Sequence, residues 1–373
     1  MSNKQKAVMN VVFVANYSFT LVNFRKNLIS SFIDRGYCVY ALSGDDSSSN
    51  ALRELGVKLV NVNFNGRNKN PILEAICFFK IFWHLILIRP EAVFSFTIKA
   101  NFYCGLIRYA SKFHFFPNIT GLGSYVVNQK LLKQISNSIY RLFLRNCKAV
   151  FVQNLDNFHY IKSLNICNDK NIVLLPGSGV NLERFNFHPY NFNGSPRKFY
   201  FISRIMKEKG VIEFLHAAKM FQKSGGSAKF YLVGSLLDEF RAEFEKKIKG
   251  TGVKYLGYIS DIRPQLKDSD VVVLPSYYNE GTPKTLIEAA ATGRAIITSD
   301  MPGCRDLVSN FNGYKVRTKD AYDLLEKFLL FASLTDTQVK EMGEKSRKLA
   351  ETNYSEKLVI KNYLKAFYIA VNK

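Results

Sequence analysis

No two cysteines in this chain stand at Cys-x-x-Cys spacing, and the six present (Cys38, Cys77, Cys104, Cys147, Cys167 and Cys304) are scattered. That excludes a zinc ribbon or a disulfide framework and reads as reduced, buried thiols in a cytoplasmic protein. Acidic side chains are scarce as well. Thirty Asp and Glu face 52 Lys and Arg, a net charge of +22. Such an excess calls for an anionic partner: nucleic acid, an anionic membrane surface or phosphorylated substrates. No Arg/Gly tract or RNA-binding aromatic signature accompanies the charge, which disfavours nucleic acid and leaves the other two. A Gly-x-Gly-x-x-Gly loop is also missing. After the first strand-like run stand Asn16-Tyr17-Ser18-Phe19-Thr20, which argues against dinucleotide oxidoreduction.

Long hydrophobic runs are lacking too. The most apolar helix-length segment, 72–88, is interrupted by Glu74, Lys80 and His84. It is too short to span a bilayer comfortably and is expected to be a buried core helix, with a membrane-touching helix as the alternative. Lys4 and Lys6 before an apolar run faintly resemble a secretory signal, but a first core strand explains that run better.

What is present is a folded chain of 373 residues, 47% hydrophobic and 14% aromatic, long enough for two domains. Short β-branched or aromatic runs at 8–15, 39–43, 92–96, 115–119, 149–153 and 172–175 alternate with helix-length segments. A second series follows at 198–203, 229–233, 254–256, 271–275 and 295–298. Alternation of this kind predicts parallel, doubly wound sheets. The loop-like stretches 176–181 and 185–196 form the interdomain crossing. The expectation is an α/β protein of two Rossmann-like domains, 1–185 and 186–353, facing each other across a cleft with strand carboxyl ends inward. The last helix, within 354–373, is expected to pack back on the first domain.

The richest segment runs from Pro275 to Gly293. It follows Val271-Val272-Val273-Leu274, a buried-strand run, and a Gly281-Thr282-Pro283 turn then opens a helix. Glu280 lies in the loop; Glu288 lies about one turn inside the helix, on the face of Thr285. Helix-start N–H groups suit an anion, and carboxylates suit hydroxyls. Phosphate beside polyhydroxyl describes a nucleotide-sugar. In the same domain, Arg204 and Lys209 follow a strand and are placed to clamp a diphosphate.

Arg204, Lys209-Gly210, Pro275-Ser276, Glu280-Gly281 and Glu288-Ala289-x-Ala-x-Gly293 together resemble the retaining GT-B glycosyltransferases of the family 4 type. Three further stretches resemble bacterial transferases that extend polyprenyl-diphosphate-linked sugars, typically with N-acetylgalactosamine. They are Phe96-Thr97-Ile98-Lys99-Ala100-Asn101, Asn118-Ile119-Thr120-Gly121-Leu122-Gly123 and Thr298-x-Asp300-x-Pro302-Gly303-Cys304-Arg305.

The resemblance implies that Arg204 and Lys209 neutralise the donor diphosphate, Glu288 holds the ribose hydroxyls and Glu280 contacts the transferred sugar. Gly281 and Thr282 would allow close backbone approach, Thr285 and Leu286 N–H groups would bind the distal phosphate, and Ile259 would lie beside the base. Arg204, Lys209 and Glu280 would then carry catalysis of a front-side transfer with retention. The departing diphosphate takes the acceptor proton, and the protein supplies positioning and charge. The resemblance also implies a UDP-sugar donor, a polyprenyl-diphosphate-linked acceptor and a place at the inner face of the bacterial cell membrane. A GDP-sugar mannosyl- or fucosyltransferase and a non-catalytic basic binding protein remain as alternatives.

The histidine that many such enzymes carry near the sugar has no counterpart here: the corresponding loop reads Pro117-Asn118-Ile119-Thr120-Gly121, and the preceding His114 is expected to be structural. Asp268-Ser269-Asp270 has the Asp-x-Asp spacing of a metal site but precedes its strand, so it is read as a polar turn, and no metal or other cofactor is expected. Asn16, Lys99, Asn101, Asn118, Thr120 and Gly121 stand at or after strand ends of the first domain and are the candidate acceptor contacts. The segment 130–148 interleaves Leu, Ile, Tyr and Phe with Lys130, Lys133, Arg141 and Arg145, which suits either a lipid-facing helix or a core helix with snorkelling cations.

Overall fold

The computed structural model describes residues 9–64, 70–121, 130–145, 147–192, 194–309 and 311–372, with the side chains of 130–136 outside that description. Lys4, Lys6, Leu122, Gly123 and the basic and apolar side chains expected at 130–136 therefore lie outside the described residues. The chain divides into two compact units, Met1–Ser178 with Val359–Lys373, and Gly179–Leu358.

The first unit is built on strands β1 (Asn10–Tyr17), β2 (Cys38–Gly44), β3 (Lys58–Asn61), β4 (Ala92–Phe96), β5 (His114–Ile119), β6 (Val150–Val152) and β7 (Ile172–Leu174). Its helices are α1 (Ser18–Ile33), α2 (Ser49–Glu54), α3 (Pro71–Ile88), α4 (Ile98–Ile107), α5 (Lys130–Leu144) and α6 (Leu155–Ser163). All pairings are parallel, in the order β3-β2-β1-β4-β5-β6-β7. A sheet covered on both faces needs apolar side chains on both, which is why β1 reads Val11-Val12-Phe13-Val14-Ala15 without alternation, all five fully buried. One face is stacked with phenylalanines: Phe13 lies 5.3 Å from Phe94, and Phe94 lies 4.7 Å from Phe116.

The second unit carries β8 (Arg197–Ile202), β9 (Ala228–Val233), β10 (Lys254–Tyr255), β11 (Val271–Leu274), β12 (Ala295–Ser299) and β13 (Gly313–Val316), again all parallel, in the order β10-β9-β8-β11-β12-β13. Around it lie α7 (Val211–Lys223), α8 (Arg241–Ile248), α9 (Arg263–Asp268), α10 (Lys284–Thr292), α11 (Ala321–Ala332) and α12 (Asp336–Asn353). Thr335 starts α12 with a reciprocal capping box to Gln338. The last helix, α13 (Glu356–Val371), begins in the second unit and ends in the first. Its Val359, Tyr363, Leu364, Phe367 and Ala370 are buried among the phenylalanines of β1 and β4.

Several placements differ from the sequence expectation. Residues 179–185 pack with the second unit: Val180 bridges to Ser355, and Val180 and Phe185 are buried in the second core. Strands β3 and β13 have no counterpart among the expected runs. Both are short edge strands, and β3 offers only Leu59 and Val60 between exposed polar ends. The segment 72–88 is not the buried core helix it was expected to be. In α3 only Cys77, Ile81 and Leu85 are buried; Ile72, Leu73, Ile76, Phe79, Trp83 and Leu87 are exposed. The helix covers one sheet face with one stripe and carries a second apolar stripe on its outer side. In α5, the described Tyr140, Phe143 and Leu144 are buried in core.

Candidate functional site

In a doubly wound sheet the crevice for a ligand opens outside the carboxyl ends of the strands, where the strand order reverses. In the second unit that point is between β8 and β11, which pair directly (Phe201↔Val273) although some seventy residues apart in sequence. The loops leaving these two strands are therefore neighbours.

Backbone contacts fix the loops to each other. The Glu208 carbonyl accepts from the N–H groups of Tyr277 (2.9 Å) and Tyr278 (3.1 Å) and from the Ser276 hydroxyl (3.3 Å). Gly210 has φ 79°, and a Cβ there would fall on the Pro275 carbonyl. Only glycine allows both the turn and this approach.

The clamp delivers Lys209 to Glu280. Their side chains form an ion pair, with 8% and 13% of each exposed. The Ser276 hydroxyl donates to the same Glu280 oxygen at 3.2 Å, and the Lys209 ammonium lies 5.4 Å from the Tyr278 ring centre. Arg204, two residues beyond β8, is exposed to solvent. Pro283 caps α10 in an extended conformation (φ −63°, ψ 116°), and its carbonyl already accepts the Leu286 N–H at 3.1 Å. Of the two N–H groups expected to meet a phosphate, the one at Leu286 is thus engaged, and Thr285 is the one the helix start leaves without an intrahelical acceptor.

Glu288 sits one turn further in, 7% exposed, with the Lys284 ammonium 3.7 Å away. Burial pushes its carboxyl up to about 7, against the opposing pull of Lys284 and Arg184. Gly281 is buried, Thr282 half-buried, and Ile259 half-buried against the second core. Tyr278 and Lys284 were not singled out from sequence, and Ser276 entered only as part of a motif, with no role. The i, i+4 spacing of Lys284 and Glu288 was the available signal for Lys284.

The first unit has the equivalent reversal between β1 and β4. There the Thr97 hydroxyl donates to Asn16 Oδ1 at 2.6 Å. Thr97 has φ 91°, a strained conformation for a β-branched residue. Lys99 is paired with Glu74 at 2.8 Å, and Glu74 also accepts from Tyr103. Thr120 and Gly121 are half-buried at the end of β5.

Asn101 and Asn118 do not stand as acceptor contacts. Each is 1% exposed. Asn101 Nδ2 donates to the Asn118 carbonyl (2.8 Å), and Asn101 Oδ1 accepts from the Ser95 hydroxyl (2.6 Å). Asn118 Nδ2 donates to the Ser95 and Phe116 carbonyls, both at 3.1 Å, and Asn118 Oδ1 accepts from Tyr363. The pair ties β4, β5, α4 and α13 together.

His114 opens β5 at its amino end, 3.4 Å from Glu91. The carboxylates of the Asp268-Ser269-Asp270 turn face their own domain. Asp268 accepts from Lys198 (2.5 Å) and Tyr200 (2.7 Å), and Asp270 accepts the Lys198 N–H (2.8 Å).

Residues 183–349 match the family described as "Glycosyl transferases group 1". Over 378 aligned positions the chain is 28% identical to the N,N'-diacetylbacillosaminyl-diphospho-undecaprenol alpha-1,3-N-acetylgalactosaminyltransferase of Campylobacter jejuni, covering 96% of this chain and 98% of that protein. It is 27% identical over 224 positions to the UDP-Gal:alpha-D-GlcNAc-diphosphoundecaprenol alpha-1,3-galactosyltransferase of Escherichia coli, covering 55% of this chain and 56% of that one. Among solved structures, a Rickettsia africae glycosyltransferase superposes with a TM-score of 0.78 at 18% identity, covering 98% of this chain and all of that one. An Anabaena protein solved with UDP and glucose also gives 0.78, at 13% identity, covering 97% of this chain and all of its own. Residues 183–349 thus resemble a glycosyl transferases group 1 domain, in a chain with the two-domain GT-B fold of the glycosyltransferases it is similar to.

Proposed function

We propose that this glycosyltransferase moves N-acetylgalactosamine, or a related hexosamine, from a UDP-sugar to a polyprenyl-diphosphate-linked glycan, with retention and without a metal ion. The observation that carries the acceptor class is similarity along almost the whole chain to an enzyme named for N-acetylgalactosaminyl transfer to an undecaprenyl-diphosphate sugar. The geometry of the second unit supports the donor half. Lys209 and the exposed Arg204 supply cations for a diphosphate, and Glu280 beside Lys209 suits the hydroxyls of the transferred sugar. Glu288 suits the ribose hydroxyls.

In this reading Lys209 leaves Glu280 for the donor diphosphate and stabilises the charge that builds on the leaving nucleotide. Glu280, released from the ion pair, orients the sugar ring. The leaving diphosphate takes the proton of the attacking hydroxyl on the same face, so no general base from the protein is required. Half-buried Asn16 and Thr120, with Lys99 and Gly121, remain the proposed acceptor contacts in the first unit. Operation would be at the inner face of a bacterial cell membrane, where such acceptors are assembled.

Purified enzyme, offered UDP- and GDP-sugars with a detergent-solubilised polyprenyl-diphosphate glycan and a chelator, should release UDP and elongate the acceptor. Glu280→Gln should lower turnover on the order of 10²-fold. Release of GDP alone would replace the donor assignment. Transfer from no nucleotide-sugar, or full activity in Glu280→Gln, would overturn the reading.

A further inference from the structure

We infer that the outward stripe of α3 is a docking face for an anionic lipid bilayer. Ile72, Ile76, Phe79, Trp83 and Leu87 recur at three- and four-residue intervals and so line one side of the helix, with Leu73 beside them. Each of the six is between 45% and 69% exposed. The opposite side, Cys77, Ile81 and Leu85, is buried in the first core. The helix is anchored at its start, where the Asn70 side chain accepts the Ile72 N–H at 2.9 Å and Pro71 fills the first helical position. Although α3 is long and apolar enough to cross a membrane, its inner stripe seats it on the first core and Lys99 and Tyr103 hold its Glu74, which fixes it in the fold. Its outer stripe is what meets the surroundings.

Charge and area select the occupant. Glu74 is the only acid on α3 and faces inward, so the outer stripe carries no negative charge. Lys80 flanks the stripe, and exposed Arg89 follows the helix end. The protein as a whole is at +22. An apolar ridge with a tryptophan and flanking cations matches the interface of an anionic bilayer. At these exposures each side chain offers on the order of 100 Å², well beyond scattered surface apolar residues. A bilayer needs no complementary surface to cover such a ridge, and a second copy does. The choice of a bilayer also rests on the proposed lipid-linked acceptor, although the face itself does not.

The test uses a built-in probe: Trp83 is the sole tryptophan of the chain. Full-length protein is mixed with phosphatidylcholine vesicles, with and without phosphatidylglycerol, and followed by tryptophan emission and co-sedimentation. The expected result is a blue shift and co-sedimentation with phosphatidylglycerol vesicles. A Phe79→Glu/Leu87→Glu variant, still folded by circular dichroism, should lose vesicle binding by at least ~10-fold. It should keep its rate toward a water-soluble short-chain acceptor. If the enzyme proves inactive on lipid-diphosphate acceptors, the proposed function fails while the vesicle result stands. No blue shift and no sedimentation, or a dimer in light scattering that the variant breaks in the absence of lipid, would overturn the inference.

Discussion

At the scale of single residues, the second unit presents two glutamates in different electrostatic situations. Glu280 is matched to Lys209, an arrangement stable only while each has the other or a substitute. Glu288 is the more exposed to pH, because its burial outweighs the nearby Lys284 and lifts its carboxyl to about 7. As the ionised form is the better acceptor for two ribose hydroxyls, UDP affinity should fall as pH drops below about 7. The fall should approach ~10-fold per pH unit if only the carboxylate binds. Glu288→Gln should bind weakly and lose this pH dependence; calorimetric titration of UDP across the range checks both, and a flat wild-type profile would remove Glu288 from the ribose. The same shift sets a stability term. The folded state holds a proton the unfolded chain has lost between the ordinary carboxylate value and about 7, so this group's contribution declines as pH rises through that window. The placement of both glutamates, one in the loop after β11 and one inside α10, was legible in the sequence because an apolar strand run and a Gly-Thr-Pro turn mark that helix start. Asn101 and Asn118 were not: an asparagine at or just after a strand end bonds a ligand or the protein equally well, and only tertiary packing decides, with Ser95 and the Asn118 carbonyl taking Asn101 and Tyr363 of α13 taking Asn118.

At the scale of elements, the proposed donor site depends on how closely two loops approach. Gly210 sits at φ 79° with the Pro275 carbonyl where a Cβ would go, whereas Gly225, at φ 82°, has nothing within 4 Å of such an atom. The two glycines separate conformational strain from steric contact. Gly225→Ala should carry only the left-handed penalty, about 1–2 kcal/mol. Gly210→Ala should add displacement of the β11 loop, for a total of about 2–4 kcal/mol, and should weaken UDP binding because Lys209 and the Glu208 carbonyl move with it. Thermal melts of both variants, with UDP titrations, give the comparison; equal melting would mean that the close approach imposes no constraint. The positions of the fully buried strands were readable from unbroken apolar runs such as β1 and β11. The edge strands β3 and β13 were not, since an edge strand buries little and its composition drifts toward that of a loop. The same reasoning explains α3. Its apolarity all round matches the composition of a buried helix, and sequence alone does not say that one of its two apolar stripes stays uncovered.

At the scale of the whole molecule, the chain crosses between its units twice, near 178 and near 358, and the second crossing returns a helix to a core begun by the first strand. Phe367 lies 5.1 Å from Phe32 and 6.3 Å from Phe116, and the Tyr363 ring lies 4.3 Å from Phe151. The last helix is thus part of the first unit's core, though furthest from β1 in sequence. Five side chains of α13 are buried there, four of them larger than alanine, and truncating buried residues of that size costs about 2–5 kcal/mol each. Their combined loss is comparable to the whole ~5–15 kcal/mol that stabilises a domain. Deleting 359–373 should therefore unfold the first unit selectively and leave the second, whose own core takes none of these residues. Limited proteolysis should degrade the first unit of the truncated protein rapidly while a fragment of roughly the second unit survives, still able to bind UDP because Lys209, Glu280 and Glu288 all lie within it. Were the first unit to remain protected, the aromatic contacts of α13 would be a covering of that core and not a condition of it.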